Sequence, residues 1–312
     1  ALIASEFLPV SLLTPIASNL AVTEGQAGQA ISVSGFFAVI TSLVIASVMG
    51  RADRKTMLLV LTGVMMISGT VVALAPNYAT LMIGRALIGI VIGGFWSMSA
   101  ATAMRLVSPS QVPRALSVLN GGNALATVVA APLGSYLGAL IGWRWTFFTV
   151  VPVALLVLVW LLVSLPRMPM ESGRAQISPL KLLRRPVVAI GMLGVGLFFM
   201  GQFTLFTYLR PYLEGSVRVN VETLSLLLLL IGVMGVFGTV VIGFILSRAP
   251  RLVLVVIPVL MALVGLALVF SASLAVTATL LALWGFLATA APVAWWTWLT
   301  RTLPNHSEAG GG

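Results

Sequence analysis

Two ionisable side chains sit inside long apolar runs and are the first candidates for chemistry: Glu6 and Arg85. Charge in the hydrocarbon of a bilayer is costly, so where it occurs it usually serves function. Glu6 precedes Leu20 by 14 residues, about 21 Å of helix at 1.5 Å per residue. A carboxyl at that depth is suited to bind a proton on one side of a membrane and release it on the other. An acid at the interfacial start of a helix would need no such role, and the sequence leaves both readings open. Arg85 begins six residues into its helix, roughly 9 Å down. It can snorkel to the headgroups, or point inward as a permanent charge acting on a carboxylate or a polar substrate. Gly89, Gly93 and Gly94 follow it and form a small-residue face that lets a neighbouring helix approach. The two depths differ by about 12 Å, so spacing alone predicts no direct Glu6–Arg85 pair.

Other chemistry lacks its parts. There is no Cys, and the one His, His306, lies in the terminal tail. Disulfides, a zinc cluster and a thiol nucleophile are thereby excluded. No GxxxxGK[ST] loop is present for ATP. No carboxylate pair or Ser/His/Asp set falls in a plausible common site, so no enzyme, metal or cofactor is expected. Polar and aromatic residues within apolar runs form the candidate substrate set: Ser11, Trp96, Asn120, Asn123, Gln202, Thr207, Tyr208, Trp284 and Trp295. Aromatic faces stack on planar bases and amides offer both a donor and an acceptor. Each of these side chains could equally serve packing, and Trp298, three residues before Arg301, reads as part of an interfacial belt. In the stretch Ala130-Ala131-Pro132-Leu133-Gly134, with Gly138 and Gly142 following, the proline would bend a helix and the glycines would form a flat strip.

The elements that must position these residues are membrane helices. Of the 312 residues 60% are apolar and 8% charged, against roughly 25% charged in a soluble domain. Uncharged runs at 7–23, 25–50, 56–84, 86–104, 115–143, 145–166, 186–209, 223–247 and 252–300 each hold about one crossing, and the last holds two. The expected helices lie near 1–20, 26–49, 56–75, 79–105, 114–141, 145–165, 187–212, 223–246, 252–271 and 274–301. Residues 1–165 form a first bundle, 166–186 a cytoplasmic linker and 187–312 a second bundle. Within the linker, 178–183 reads as a short surface helix.

The net charge of +10 is explained by placement. Thirteen basic residues fall in the even connections and the tail: Arg51, Arg54, Lys55, Arg105, Arg114, Arg167, Arg174, Lys181, Arg184, Arg185, Arg248, Arg251 and Arg301. The odd connections hold Arg144, Arg210 and Arg218. The even side and the N-terminus are therefore expected to be cytoplasmic, leaving no basic groove for nucleic acid.

The halves repeat. EFLPVSLLTP (6–15) lies over QFTLFTYLRP (202–211), setting Glu6 on Gln202; GRADRKTMLL (50–59) lies over SRAPRLVLVV (247–256); GGFWSMS (93–99) lies over PVAWWTW (292–298), pairing Trp96 with Trp295. The shifts are 196, 197 and 199. Paired helices share a direction, so the repeat is parallel: two six-helix bundles about an axis along the membrane normal. By that period the second half lacks two helices, and with an apolar opening that carries no Met the chain reads as truncated at both ends, leaving about ten crossings. A substrate cavity is expected between the bundles near mid-membrane.

These residues carry a family resemblance. EFLPVSLLTPIA, IGRALIGIVIGGFWSMSA, AAPLGSYLGALIGWR, GQFTLFTYLRP and the final WLTR resemble the drug:proton antiporter group of the major facilitator superfamily, most closely the NepI-type purine ribonucleoside efflux pumps. The resemblance implies an all-α integral membrane protein of the major facilitator fold, exporting purine ribonucleosides such as inosine and guanosine by proton-coupled alternating access. Multidrug or sugar antiport is the alternative within the fold, and an uptake symporter or a passive channel stands further off. It further implies that Glu6 and Arg85 act in proton coupling. Asp53 and Arg54, in the loop where the family reads GxLaDRxGRK, are implied to gate. Pro132, Gly134 and Gly138 match the antiporter motif GxxxGPxxGG, with Ala130 and Ala131 where glycine is usual, and are implied to form a hinge. Partners are a small-molecule substrate, protons and the lipid of a bacterial inner membrane, with the protein a monomer.

Overall fold

The computed structural model describes residues 1–48, 53–168, 185–246, 250–271 and 273–302. Among them lie ten α-helices and no strand: α1 (Leu2–Leu20), α2 (Glu24–Val48), α3 (Arg54–Ala73), α4 (Tyr78–Arg105), α5 (Val112–Phe148), α6 (Val150–Ser164), α7 (Pro186–Tyr212), α8 (Val221–Leu246), α9 (Pro250–Val269) and α10 (Leu274–Thr302). Backbone polar groups have no water partner within a bilayer, so helices that satisfy themselves are the natural solution. By length and composition seven segments qualify as crossings, one of which, Val118–Ser164, contains both the later part of α5 and α6. The expected 166–186 linker falls largely outside the described residues, as do its proposed 178–183 helix and Arg51, Arg174, Lys181, Arg184 and Arg248.

Local chemistry sets the helix ends. Thr23 and Gln26 form a reciprocal cap at the start of α2: the Gln26 backbone N–H donates to Thr23 Oγ1 at 3.1 Å, and the Thr23 N–H donates to Gln26 Oε1 at 2.9 Å. Asn77 accepts from the Thr80 N–H at 3.0 Å to open α4, and Asn220 accepts from the Thr223 N–H at 2.9 Å beside the start of α8. α5 continues through Pro132, whereas its one non-helical residue is Gly142, at φ 79° and ψ 159°. The break expected between 141 and 145 is thus made by glycine, which alone enters that region without a side-chain penalty.

The chain divides into two compact units, Ala1–Gln176 and Ile177–Gly311. In the first, Leu8, Leu12, Leu13 and Ile16 of α1 share a buried cluster with Val72, Leu81, Trp143 and Phe147. At one end Arg144 gathers three elements. It donates to Asn19 Oδ1 and, at 2.8 Å, to the Ala75 carbonyl, and its guanidinium lies 4.3 Å from the Trp143 ring centre.

Glycines set the closest approaches. A Cβ at Gly89 would overlap the Ser34 carbonyl, and one at Gly93 would overlap the Ala38 carbonyl. Helices α2 and α4 therefore run parallel with backbones touching, at a constant offset of 55 residues. The second unit repeats the contact: Gly285 of α10 abuts the Ile231 carbonyl of α8, and Gly235 of α8 abuts Thr289. Ser34 and Ala38 correspond to Ile231 and Gly235 at a shift of 197, and Gly89 and Gly93 to Gly285 and Thr289 at 196. This corrects the α4/α10 register of 199 taken from Trp96 and Trp295. A three-residue slip is close to one helical turn, so the tryptophans share a face without being equivalent.

Gly93→Ala should destabilise the protein by about 1–3 kcal/mol, because the added methyl meets backbone that cannot turn aside. Gly121→Ala, where a Cβ meets nothing within 4 Å, should leave the melting temperature in detergent unchanged or raised.

Candidate functional site

Arg85 lies one turn before Gly89 on the α4 face pressed against α2, and the close approach closes over its side chain. It is 1% exposed, which settles the sequence alternatives for its direction: it points inward. Its Nε donates to the Ala30 carbonyl at 3.1 Å, Nη1 to the Ser5 carbonyl at 2.9 Å and Nη2 to Ser34 Oγ at 3.1 Å. Ser34 in turn donates to the Ile31 carbonyl at 2.9 Å. One guanidinium thus ties α4 to α1 and α2.

Ser5 precedes Glu6, so the guanidinium reaches the turn that carries the acid. Depth along the helix axes predicts no direct pair, and the long arginine side chain bridges part of that separation by passing Ala30 and Ser34 of α2 to reach α1. No ion pair within hydrogen-bonding range joins Glu6 and Arg85; the guanidinium is satisfied by neutral oxygens instead. Glu6 itself is half-buried.

The loop residues Asp53 and Arg54 form a clasp. Asp53 caps α3, its Oδ1 accepting from the Lys55 N–H at 2.7 Å and from the Met168 N–H at 3.1 Å. The Arg54 N–H donates to the Met168 carbonyl at 3.3 Å, and Lys55 Nζ donates to the Leu162 carbonyl at 2.8 Å. The start of α3 is thereby fastened to the end of α6 and the residues after it. Spacing in the sequence held no sign of Met168 as the partner, because its contribution is a backbone group.

On α5, a Cβ at Gly134 would meet Leu8 and Ser11, and one at Gly138 would meet Leu12. These glycines receive α1, the helix that carries Glu6. Ser11 has no exposed surface and donates to the Leu8 carbonyl at 3.0 Å. Pro132 is half-buried on the same helix.

The remaining candidates separate by burial. In the first unit Trp96 and Asn120 are exposed, and Asn123 is half-buried with its Nδ2 enclosed and lacking a hydrogen-bond partner. In the second, Tyr208 is exposed, and Gln202 is half-buried with Oε1 enclosed and likewise without a partner. Thr207 and Trp284 are buried, and Trp284 stacks on Phe206 with ring centres 5.9 Å apart. Trp295 is half-buried against Gly194. Trp298, expected in an interfacial belt, packs where a Cβ at Gly191 would be, because the glycine near the start of α7 leaves a notch that admits an indole. Sequence reasoning placed Arg210 in a connection. It is a buried residue of α7, ion-paired with Glu214 at 2.8 Å.

The Major Facilitator Superfamily model matches residues 1–311. The chain belongs to that superfamily. It is accordingly a multi-pass membrane transporter, a family acting on small-molecule substrates. It is 58% identical over 319 residues to the transcription regulatory protein OpdE of Pseudomonas aeruginosa, covering 100% of this chain and 79% of that protein. It is 41% identical over 311 residues to the purine ribonucleoside efflux pump NepI of Escherichia coli K12, covering 99% and 78%. Among solved structures it resembles a bacterial homolog of the human lysosomal transporter Spinster in an inward-facing, unoccupied conformation, at TM-score 0.79 and 18% identity over 99% of this chain and 75% of that one. That likeness bears on the fold alone.

Asp53→Ala removes an acceptor shared by two backbone N–H groups and should cost about 1–2 kcal/mol. Asp53→Asn keeps an acceptor oxygen and should cost less than half as much, as thermal melts of the two variants would show.

Proposed function

We propose that this protein exports purine ribonucleosides in exchange for protons, by alternating access. The placement of the buried Arg85 guanidinium on the Ser5 carbonyl, in the turn that carries Glu6, supports the coupling half of this reading. A buried arginine remains charged, so it supplies a fixed field against which the acid gains and loses its proton. With the site open to the cytoplasm, deprotonated Glu6 favours substrate binding. The protein then opens outward, substrate leaves, Glu6 takes up a proton, and the return swing releases that proton inside. Identity of 41% to NepI over nearly the whole chain supports the substrate half.

In this reading Trp96, Asn120, Asn123, Gln202, Tyr208 and Trp295 contribute stacking faces and amide groups to the substrate. Ser11, Thr207 and Trp284 support them from the packed interior. Asp53 and Arg54 gate by making and breaking the clasp to Met168, and Pro132, Gly134 and Gly138 set how α5 bears on α1. Residues 1–165 act as one bundle and 187–312 as the other, joined by a cytoplasmic linker, in a monomer of a bacterial inner membrane with its N-terminus inside.

The regulatory name of OpdE is compatible with transport. A pump whose substrate induces or represses genes changes their expression without touching DNA.

The first test is inosine and guanosine efflux from cells expressing the full-length protein, with and without a protonophore. Efflux that collapses with the gradient supports the proposal; gradient-driven efflux of dyes or sugars with none of nucleosides would keep the coupling and overturn the substrate. Glu6→Gln should abolish inosine export driven by an imposed pH gradient in proteoliposomes while counterflow exchange of inosine continues. Export that stayed gradient-driven in that variant would remove Glu6 from the mechanism.

A further inference from the structure

The internal repeat allows the cradle of Arg85 to be compared with the same place built a second time. At the shifts fixed by the glycine contacts, Arg85 corresponds to Leu281, Ser34 to Ile231 and Ala30 to Leu227. In the second unit these positions are buried and apolar: Leu281 is 0% exposed, Leu227 5% and Ile231 7%. Ile231 still presses its carbonyl on Gly285, as Ser34 does on Gly89. The same close approach of two parallel helices is therefore made with a buried cation in one unit and with aliphatic side chains in the other. Apolar residues of similar size often replace buried charges without loss of stability. The helix pair does not need the charge, nor the hydroxyl that holds it.

Ser34 is the one side chain that accepts from Arg85, the other two acceptors being backbone carbonyls. It lies on α2, whereas Glu6 lies on α1. The bond from Nη2 to Ser34 Oγ therefore fixes the rotation of a guanidinium whose other terminal nitrogen, Nη1, is bound beside Glu6 at the Ser5 carbonyl.

We propose that Ser34 is a positioning residue for proton coupling: its hydroxyl orients the Arg85 guanidinium toward the turn of Glu6, and the fold does not require it. This rests on the proton-coupled reading above. Without the hydroxyl, Nη2 has lost its partner and the guanidinium is no longer held in the orientation that couples substrate movement to the proton. Ser34 does not touch substrate, so substrate exchange depends on it far less than gradient-driven export does.

The test uses the full-length protein in proteoliposomes, with inosine as the probe. Two rates are read for each variant: export driven by an imposed pH gradient, and counterflow exchange without one. Ser34→Ala should lower the ratio of driven export to exchange by about tenfold, the scale of one lost hydrogen bond to a charged group, and should lower the melting temperature modestly, because Nη2 is left buried without its partner. The double variant S34I/R85L, which gives positions 34 and 85 the aliphatic residues of the second unit, should melt at or above the temperature of the unmodified protein and show no gradient-driven export. An unchanged ratio in Ser34→Ala would overturn the proposal. So would a fall of both rates together with the melting temperature, or a lowered melting temperature in S34I/R85L, since either would make the cradle part of the fold. Unmodified protein whose inosine export ignores the gradient would overturn the coupling reading itself, before any variant is compared.

Discussion

Parallel packing of α2 on α4, backbone against backbone at Gly89 and Gly93, is the constraint on which the first unit is built. Between apolar helices in lipid there is little hydrophobic gain to drive association, so close approach and dispersion contacts must hold them. Glycine permits that approach because a Cβ at either position would sit on the carbonyl of α2. The fixed offset follows: with Gly89 on Ser34 and Gly93 on Ala38, Arg85 has to face Ala30, one turn earlier. A side chain there cannot escape to the headgroups. It runs past the small Ala30 and ends at Ser34 and Ser5, and so a packing rule written in glycines decides where a permanent charge resides.

Much of this architecture was legible in the sequence, and for a simple reason. Gaps between charged residues mark the spans, since few charges are tolerated inside them, and the described helices fall within a few residues of the expected ones except at the α5/α6 junction, where α5 runs on through Arg144 to Phe148. The break near Gly142 was legible for the same reason, with Arg144 following it. The parallel repeat could be read from three short matches, although the match through Trp96 and Trp295 gave a register one turn out. Composition on one helix does not record which residue touches which on another; that information came only from the glycine contacts.

The candidate site was less legible. Arg85 and Glu6 stood out as charges, but their mutual placement depends on a side chain crossing the width of a helix, which a depth measured along the axis cannot represent. Ser34 gave no signal of its own among the serines and threonines of the spans; its meaning comes from lying opposite Gly89. Asp53 was legible as a loop motif, while its partner Met168 offers only backbone N–H and C=O groups, to which no side-chain pattern points. The aromatic residues are the hardest case. Trp284 is consumed in a stack with Phe206, and Trp298 fills the notch at Gly191, whereas Trp96 stays exposed. Residue type alone does not separate these fates, because an indole packs against glycine as readily as against a planar ligand.

A repeat offers an internal control that a single bundle lacks. Where both copies carry the same feature, as with the glycines at the helix contact, the simplest cause is the fold they share. Where one copy is polar and the other apolar at equivalent, buried positions, the fold has been satisfied both ways and the polar copy needs a different cause. By this criterion Gly89 and Gly285 belong to the architecture. Arg85 and Ser34 stand against Leu281 and Ile231, and Glu6 against Gln202, whose enclosed Oε1 finds no partner. Arg85 and Ser34 meet directly, and the guanidinium reaches the Ser5 carbonyl beside Glu6, whereas the equivalent positions of the second unit carry two aliphatic residues and a neutral amide. Chance retention of a buried cation with three well-directed hydrogen bonds is hard to reconcile with the cost of removing it from water. The asymmetry therefore separates the cradle, which only one unit carries, from the helix contact beneath it, which both units share.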